Sequence, residues 1–188
     1  MIAREISNVV LSKRALETIV KAAKEGYLKP YKQERLGILL GRLKKDTIFV
    51  SNAFLQRGGK YTRTSAMVLE SQIDRHINQM VSRYHLRFLG SFHTHNEVAK
   101  TTSSALSKED RNPISDKYPP LIEIIASIRV SDSPLRQSKY YCQVKFGRHR
   151  IRIAAYLFGD SFPIIPVSTA TFFIAFDNRR RNRMIRMK

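Results

Sequence analysis

The sequence has few cysteines, few acidic residues and no long apolar run. Cys142 is the single cysteine among 188 residues, so an internal disulfide and a zinc site built from several cysteines are both excluded. No uninterrupted apolar run reaches the roughly 18 residues that a membrane-spanning helix needs, and the first residues lack the apolar core of a signal peptide. These absences predict a soluble protein of the cytoplasm that is not inserted in a membrane.

Basic residues far outnumber acidic ones. The chain has 15 Asp and Glu against 34 Lys and Arg, which gives a formal net charge of +19 at pH 7. Such an excess predicts an anionic partner, and nucleic acid, an acidic protein and an anionic membrane surface all carry suitable charge. No aromatic RNA-binding signature, paired-cysteine finger or glycine-rich phosphate loop accompanies the charge. Nucleic-acid binding therefore rests on charge alone.

The pattern of apolar residues predicts one mixed α/β domain. At this length a single domain buries about 70% of the surface of its unfolded chain. Apolar residues at helical spacing predict a helix that begins after Ser12 and ends at Gly26, and a second helix over 67–84. The predicted strands are 5–11, 36–41, 47–54, 86–92, 121–130, 140–146, 150–158 and 169–176, with a polar loop at 56–63. We expect residues 1–177 to form the domain, a mixed sheet flanked by helices, and residues 178–188 to form a flexible basic tail.

Two histidines stand two residues apart at the end of a predicted strand. In a strand, residues i and i+2 point to the same face, so His93 and His95 can reach one metal ion. Asp110 follows after a loop and adds a carboxylate, which completes the three protein ligands of a catalytic zinc site. Taken alone, a His-x-His pair is more often two unrelated histidines. The Ser-x-x-Asp spacing of Ser107 and Asp110 is also typical of a helix N-terminus, and such a cap would hold the ligand in place.

A zinc hydrolase also needs a base, which is usually a glutamate that does not bind the metal. Glu34 comes just before the predicted strand 36–41, which can carry it to the edge of the sheet beside the histidine strand. Its local sequence alone fits an ordinary exposed glutamate better. The other histidines, His76, His85 and His149, are expected to be structural or exposed.

Three segments, taken in order, resemble the JAMM/MPN+ family of zinc metalloproteases. The family pattern is E-x-x-G-x-L-x-G, then H-x-H, then S-x-x-D, and the matching segments are Glu34 to Gly41, His93 to His95 and Ser107 to Asp110. Three separated matches in one order are far more specific than any one of them. The resemblance covers about residues 5 to 160. It implies a single MPN-like domain whose fold is similar to that of the cytidine deaminases.

The resemblance also implies a function, a zinc-dependent isopeptidase that removes ubiquitin or a ubiquitin-like modifier from proteins. In that interpretation His93, His95 and Asp110 bind one Zn²⁺ per chain. Glu34 is the catalytic base that takes a proton from the zinc-bound water, and Ser107 is the catalytic residue that stabilises the tetrahedral oxyanion. The implied partners are the modifier and its protein conjugates, while the oligomeric state stays open.

The sequence departs from the family pattern directly after the histidines. The family usually has a proline after the second histidine and seven residues before the serine, whereas this chain has Asn96 and eleven residues, 96–106. Ser103 stands at the usual spacing, but Leu106, three residues on, cannot bind a metal. A longer surface loop costs little free energy. We therefore expect the metal site to survive and substrate specificity or gating to change.

A second function fits the same sequence. A non-proteolytic basic module of the MPN type, acting on nucleic acid or as an assembly subunit, would explain the net charge and the arginine-rich tail. Inactive relatives tend to lose metal ligands, whereas all five matching positions are kept here. The isopeptidase is therefore the first hypothesis and the binding module is the alternative.

Overall fold

A computed structural model describes residues 6–97, 103, 105–135, 138–159 and 161–169. Within these ranges the chain forms two α-helices and one 3₁₀ turn, which are α1 Lys13–Tyr27, α2 Glu70–Tyr84 and the turn Glu109–Arg111. The strands of the same ranges are β1 Asn8–Leu11, β2 Leu36–Lys44, β3 Thr47–Leu55, β4 Lys60–Tyr61, β5 Ala66–Met67, β6 Arg87–Asn96, β7 Ile122–Val130, β8 Cys142–Phe146, β9 His149–Leu157, β10 Ile164–Ile165 and β11 Val167–Thr169.

Nine of these strands form one mixed sheet. The order is β10-β9-β7-β6-β2-β3-β1-β11, with β8 also paired to β9, while β4 and β5 form a small separate hairpin. The pairs β6–β7, β1–β3 and β1–β11 are parallel, and the others in the sheet are antiparallel. The predicted mixed sheet with two flanking helices is therefore confirmed.

The two helices cover opposite faces of the sheet. Helix α1 begins at the expected cap, where the Ser12 hydroxyl accepts a hydrogen bond from the Ala15 amide at 3.0 Å, and its apolar side packs against the larger hydrophobic core. Helix α2 places Ile73 and Ile77 against the other face, beside apolar side chains of β2 and β6. One face of β6 thus lies under α1, and the other face, which carries the histidines, lies on the side of α2.

Two predicted boundaries are wrong, and a third is untested. Residues 56–63 are not a plain loop, because they enter the hairpin β4–β5. Met67, predicted as part of the apolar stripe of the second helix, lies in β5 and is exposed, since α2 begins only at Glu70. The predicted strand 169–176 is seen only at its first residue, as the end of β11, and the rest lies outside the described residues together with the proposed boundary at 177.

Gly26 does not end the first helix, which continues to Tyr27 with Leu28 as its C-cap. Its role is close packing. The Gln33 amide donates a hydrogen bond to the Gly26 carbonyl at 2.9 Å, and a Cβ on residue 26 would overlap the Gln33 carbonyl oxygen. The absence of a side chain thus lets the segment that leads to Glu34 lie against the end of α1.

No helix among the described residues is long and apolar enough to cross a membrane.

Replacing Gly26 by alanine tests this packing. In most helix interiors a change from glycine to alanine stabilises the fold by about 1 kcal/mol. Here the new methyl group meets a backbone oxygen, which cannot move aside as a flexible side chain can. We expect Gly26→Ala to lower the free energy of unfolding by about 1–3 kcal/mol, measured by urea unfolding. Gly159→Ala, where a Cβ would meet open space, should stay within about 0.5 kcal/mol of the parent protein. A Gly26→Ala protein as stable as the parent would contradict this explanation.

Candidate metal centre

The end of β6 places two imidazole rings beside each other. His93 and His95 are two residues apart in the strand and therefore point to the same face. Their Nε2 atoms lie 2.9 Å apart. His93 is buried and His95 is half-buried, so the pair forms one wall of a partly enclosed site.

Asp110 completes the cluster from the 3₁₀ turn. Its carboxylate oxygens lie 3.1 Å from Nε2 of His93 and 3.4 Å from Nε2 of His95. Ser107 fixes the turn in the way expected of a cap, because its amide donates to Oδ2 of Asp110 at 2.7 Å and its hydroxyl accepts from the Asp110 amide at 3.3 Å. The Ser-x-x-Asp segment therefore caps the turn and also positions the third candidate ligand.

The three groups fit a divalent metal ion. Ligand atoms about 2.1 Å from a tetrahedral ion are about 3.4 Å from each other, and the nitrogen and oxygen atoms of this cluster are spaced at 2.9, 3.1 and 3.4 Å. Two imidazoles and one carboxylate also suit zinc and related metals by chemistry. Among the described residues, His93, His95 and Asp110 form the one group able to hold a metal ion.

Each histidine is oriented by a partner on its other ring nitrogen. Nδ1 of His93 lies 2.8 Å from a carboxylate oxygen of Glu123 on β7, and the Ser91 hydroxyl donates to the second oxygen of that glutamate. Nδ1 of His95 lies 2.9 Å from the Ser103 carbonyl oxygen. When Nδ1 donates to these acceptors, the lone pair of each Nε2 faces Asp110, which is the tautomer that a metal requires.

Glu34 stands beside this cluster, as its position before β2 predicted. Strand β2 pairs antiparallel with β6, with Leu36 opposite His93, and Arg35 continues the pairing through hydrogen bonds with Thr94. Continuing the register by two residues places Glu34 opposite His95. Its amide is held by the Thr62 carbonyl of the small hairpin at 2.7 Å, and its side chain is buried, with 8% of its surface exposed.

The segment that follows the 3₁₀ turn is tied to α2. The Ser115 hydroxyl donates to Asp74 at 2.5 Å and accepts from the Tyr118 amide, and the Asp116 amide donates to Glu70 at 2.9 Å. These contacts hold residues 115–118, which begin five residues after Asp110, against α2. The position of that ligand thus depends on α2 as well as on its own cap.

Comparison with known proteins agrees with this geometry. The family model described as "JAB1/Mov34/MPN/PAD-1 ubiquitin protease" matches residues 4–112, which is more than half of the chain. The chain belongs to this family. A solution structure of protein DSY2949 from Desulfitobacterium hafniense shares the fold, with a TM-score of 0.57 and 16% sequence identity, over 88% of this chain and 94% of that one. The search of curated proteins finds no match.

Burial sets the charge state of Glu34 in this JAB/MPN domain. Removal from water raises the pKa of the carboxyl from 4.5 to about 7, against the smaller lowering effect of His95 and His93. A group that titrates near neutral pH can both accept and return a proton in the same reaction cycle. Burial thus brings the pKa of Glu34 into the range in which a carboxyl group exchanges protons near neutral pH.

The metal-ligand groups stabilise each other's charges. Burial by itself would lower the pKa of His93, but hydrogen bonds to Asp110 and Glu123 and the negative charges of both outweigh it and raise the pKa to about 10. Burial likewise opposes ionisation of Asp110, yet its hydrogen bonds with His93 and His95 hold its pKa well below the ordinary range. The carboxylates that favour a proton on His93 also favour a metal cation beside it.

Sequence reasoning missed Glu123 and the part played by Ser103. Glu123 lies on β7 among apolar residues, beyond the stretch that the family model matches, and no motif marks it. The sequence did contain one signal for Glu123, which is a charged residue inside an apolar strand. Such a residue is rarely buried without a partner. Ser103 stands where the family's serine usually lies, but it contributes its backbone carbonyl and not its side chain to the centre.

The prediction that the other histidines are structural or exposed holds for His76, His85 and His149. His76 lies on α2 and contacts Gln56 at 2.6 Å, and His149 packs edge-on against Tyr27. His85 caps α2 in a left-handed conformation. None of the three belongs to the metal-ligand group that the described residues contain.

Metal binding should release a proton, because a metal and a proton compete for Nε2 of His93. The folded pKa of about 10 means that the ring is protonated at neutral pH and loses its proton only as the pH rises toward 10. Apparent zinc affinity should therefore rise by about tenfold per pH unit between pH 6 and 9. Titration calorimetry in two buffers of different ionisation enthalpy should detect about one proton released per metal ion. A pH-independent affinity would contradict the coupling, and His76→Gln should leave it unchanged.

Glu123 should strengthen metal binding through His93. We expect Glu123→Gln to weaken zinc affinity by about ten- to a hundredfold, because the amide keeps a hydrogen bond but loses the negative charge. Competition with a chromophoric chelator measures the effect. Glu25→Gln, at an exposed position on α1, makes the same chemical change away from the centre and should match the parent protein. Equal affinities in all three proteins would exclude a supporting role for Glu123.

Proposed function

We propose that this domain is a zinc-dependent isopeptidase that cleaves the bond between ubiquitin, or a ubiquitin-like modifier, and a protein. The observation that carries the proposal is the meeting of a buried glutamate of raised pKa with two histidines and an aspartate at ligand spacing. Membership of a family described by ubiquitin protease activity supports the choice of substrate. An inactive module would have no need to keep all of these groups in place.

His93, His95 and Asp110 would hold the metal. A zinc ion held there would supply a Lewis acid able to lower the pKa of bound water toward 7 and to polarise the carbonyl of the scissile bond. The remaining steps belong to the protein. Glu34 takes a proton from the attacking water as its oxygen bonds to the carbonyl carbon, and returns that proton to the lysine nitrogen as the carbon–nitrogen bond breaks. The second proton of the water passes from the new carboxyl group to the amine at neutral pH, so the products are the modifier carboxylate and the protonated lysine amine.

Ser107 would stabilise the negative charge that develops on the carbonyl oxygen. Its side chain is exposed beside the ligand Asp110. Its oxygen accepts a hydrogen bond from the Asp110 amide, which fixes the hydroxyl and leaves its own proton to donate. A fixed donor aimed at the developing oxyanion contributes more than solvent, because it does not reorganise during the reaction.

Replacing Glu34 by glutamine separates catalysis from metal binding. The variant keeps the shape of the side chain but cannot accept a proton, so cleavage should fall by about 10²- to 10⁴-fold while one zinc ion per chain is retained. The measurement is cleavage of a panel of modifier fusions with and without chelator, together with metal analysis of the purified protein. Glu25→Gln provides a matched control and should cleave as the parent does.

Full activity of Glu34→Gln, or activity that survives complete removal of metal, would contradict this function. The alternative predicted from charge, a non-proteolytic basic module, has its own signature. It would bind DNA or RNA with steep salt dependence and would hydrolyse no member of the panel.

A further inference from the structure

An open cavity lies between α2 and the loop that follows β3. Its volume is about 420 Å³, and sites for small molecules occupy about 300–1,000 Å³, so it is large enough to hold a ligand. The loop lines one side with Gln56 and Arg57. Helix α2 lines the other side with Gln72, Arg75, His76, Gln79 and Met80. We call this cavity the helix pocket.

One side of α2 faces the helix pocket, and that side carries no acidic residue. The lining residues recur at intervals of three and four along the helix, which is the spacing of a single helical face. The acidic residues of α2, Glu70 and Asp74, lie on the opposite side and accept hydrogen bonds from residues 115–116. Among the described residues, the lining contains two arginines and no aspartate or glutamate. The helix pocket therefore presents positive charge, which favours an anionic ligand.

Both guanidinium groups of the helix pocket are available to a ligand. The side chains of Arg57 and Arg75 are exposed, and within the described residues neither forms a salt bridge, a hydrogen bond or a ring contact. An arginine presents five N–H donors in a planar fork. The two residues reach the cavity from different elements, so together they can surround one anion with donors.

Hydrogen bonds hold the buried part of the helix pocket in place. Gln56 is 5% exposed; its Nε2 donates to the Arg57 carbonyl at 2.9 Å, and its Oε1 lies 2.6 Å from Nδ1 of His76. Because Oε1 can only accept, Nδ1 of His76 carries a hydrogen. Burial lowers the pKa of this ring and so favours its neutral form, which keeps a lone pair on Nε2. The helix pocket thus offers an acceptor as well as two cationic groups.

The helix pocket lies beside the metal centre and is separate from it. The Gln56 amide donates to the Leu36 carbonyl at 2.8 Å, and Leu36 is the register partner of His93 on β6. Two strand spacings therefore place the backbones of Gln56 and His93 about 10 Å apart. None of the three candidate metal ligands is among the lining residues. A molecule in the helix pocket is thus a second ligand and not the bond cleaved at the metal.

We propose that the helix pocket binds a small organic phosphate, whose phosphate group lies against Arg57 and Arg75. The rest of the ligand contacts Gln72, His76 and Gln79. A phosphate monoester carries nearly two negative charges at neutral pH and three acceptor oxygens, so it can accept hydrogen bonds from two guanidinium groups at once. A carboxylate has two oxygens, and a single guanidinium fork satisfies both. The proposal does not depend on isopeptidase activity.

The volume and lining of the helix pocket favour a small organic molecule over a free phosphate ion or a nucleic acid strand. A cavity of about 420 Å³ is many times the share of one water molecule in the liquid, about 30 Å³, so inorganic phosphate would fill only part of it. The glutamine amides and the imidazole supply donors and acceptors for hydroxyl and amino groups. Single-stranded nucleic acid would need aromatic rings on which bases stack, and the described lining contains no Phe, Tyr or Trp.

The first test is binding of two probes, adenosine 5′-monophosphate and ribose 5-phosphate. Isothermal titration calorimetry compares them with adenosine, inorganic phosphate and glutarate, using the full-length, zinc-loaded protein at low ionic strength. We expect at least one probe to bind about tenfold more tightly than each of the three comparison compounds. Arg57→Gln/Arg75→Gln should lose at least about tenfold of that affinity. The matched control is Arg42→Gln/Arg87→Gln, which removes two exposed arginines at the far end of β2 and β6 and should bind as the parent does.

Four results would overturn the proposal. Neither probe binds more tightly than inorganic phosphate and glutarate. Binding survives in Arg57→Gln/Arg75→Gln, which would place the phosphate elsewhere, such as at the zinc ion. The control double variant loses as much affinity, so that net charge alone explains binding. An oligothymidylate binds more tightly than either probe and is lost in Arg57→Gln/Arg75→Gln, which would assign the site to nucleic acid.

The second test places one negative charge inside or outside the helix pocket. Gln79→Glu puts a carboxylate in the lining, four residues after Arg75, where it can pair with that guanidinium and repel a phosphate. Asn78→Asp makes the same chemical change at the preceding residue of α2, which is exposed and is not among the lining residues. We expect the tighter probe to bind at least about tenfold more weakly to Gln79→Glu only. Equal affinities in the two variants would exclude Arg75 from the site. Both changes are at exposed positions, so this pair stays decisive if the arginine double variant fails to fold.

Discussion

The pairing of β6 with its two neighbours fixes both histidines and both glutamates of the candidate metal centre, and Asp110 alone comes from outside the sheet. Strand β2 lies on one side and brings Glu34 opposite His95, and β7 lies on the other and brings Glu123 beside His93. Because side chains alternate along a strand, a slip of one residue in either pairing would move a carboxylate to the opposite face of the sheet. Gly90 helps to set the register with β7. Its backbone has a φ of +146°, and a Cβ there would overlap the Ile122 carbonyl.

The exclusion of water affects the two glutamates of the centre differently. Glu34 and Glu123 are both buried, with 8% and 3% of their surfaces exposed, but their surroundings differ. Glu123 has two hydrogen-bond donors close by, Ser91 and the His93 ring, which compensate for lost solvation. For Glu34, burial disfavours the charged carboxylate more strongly than the two histidines favour it, so its pKa rises to about 7. One glutamate is thus suited to orient a ligand and the other to move a proton.

Much of this centre could be predicted from the sequence because its signals are local. His93 and His95 share a strand, Ser107 and Asp110 share a turn, and Glu34 precedes an apolar strand, so spacing alone places each group near its element. The prediction that these segments meet came from the family resemblance, because no local sequence pattern indicates that β2 pairs with β6. Glu123 and the Ser103 carbonyl depend on register and loop path, which periodicity does not encode. The small hairpin at Lys60–Met67 was missed because two-residue strands carry too little pattern to detect.

Opposite charges on this sheet face remain apart because each group has local partners. Glu34, Asp110 and Glu123 surround the histidines, while Arg129 lies on the neighbouring strand β7, and Arg150 and Arg152 lie on β9, two strands away. Long arginine side chains could reach such a distance if they were unrestrained, and would then compete with a metal for the carboxylates. Two contacts oppose this movement. Arg150 is held by the Ser133 and Pro134 carbonyls, and Arg152 is stacked over Tyr141. Buried Ile125 stands between His93 and Ala154 in the register and offers no polar group to bridge them. These contacts keep Arg150 and Arg152 away from the carboxylates, which remain beside the histidines.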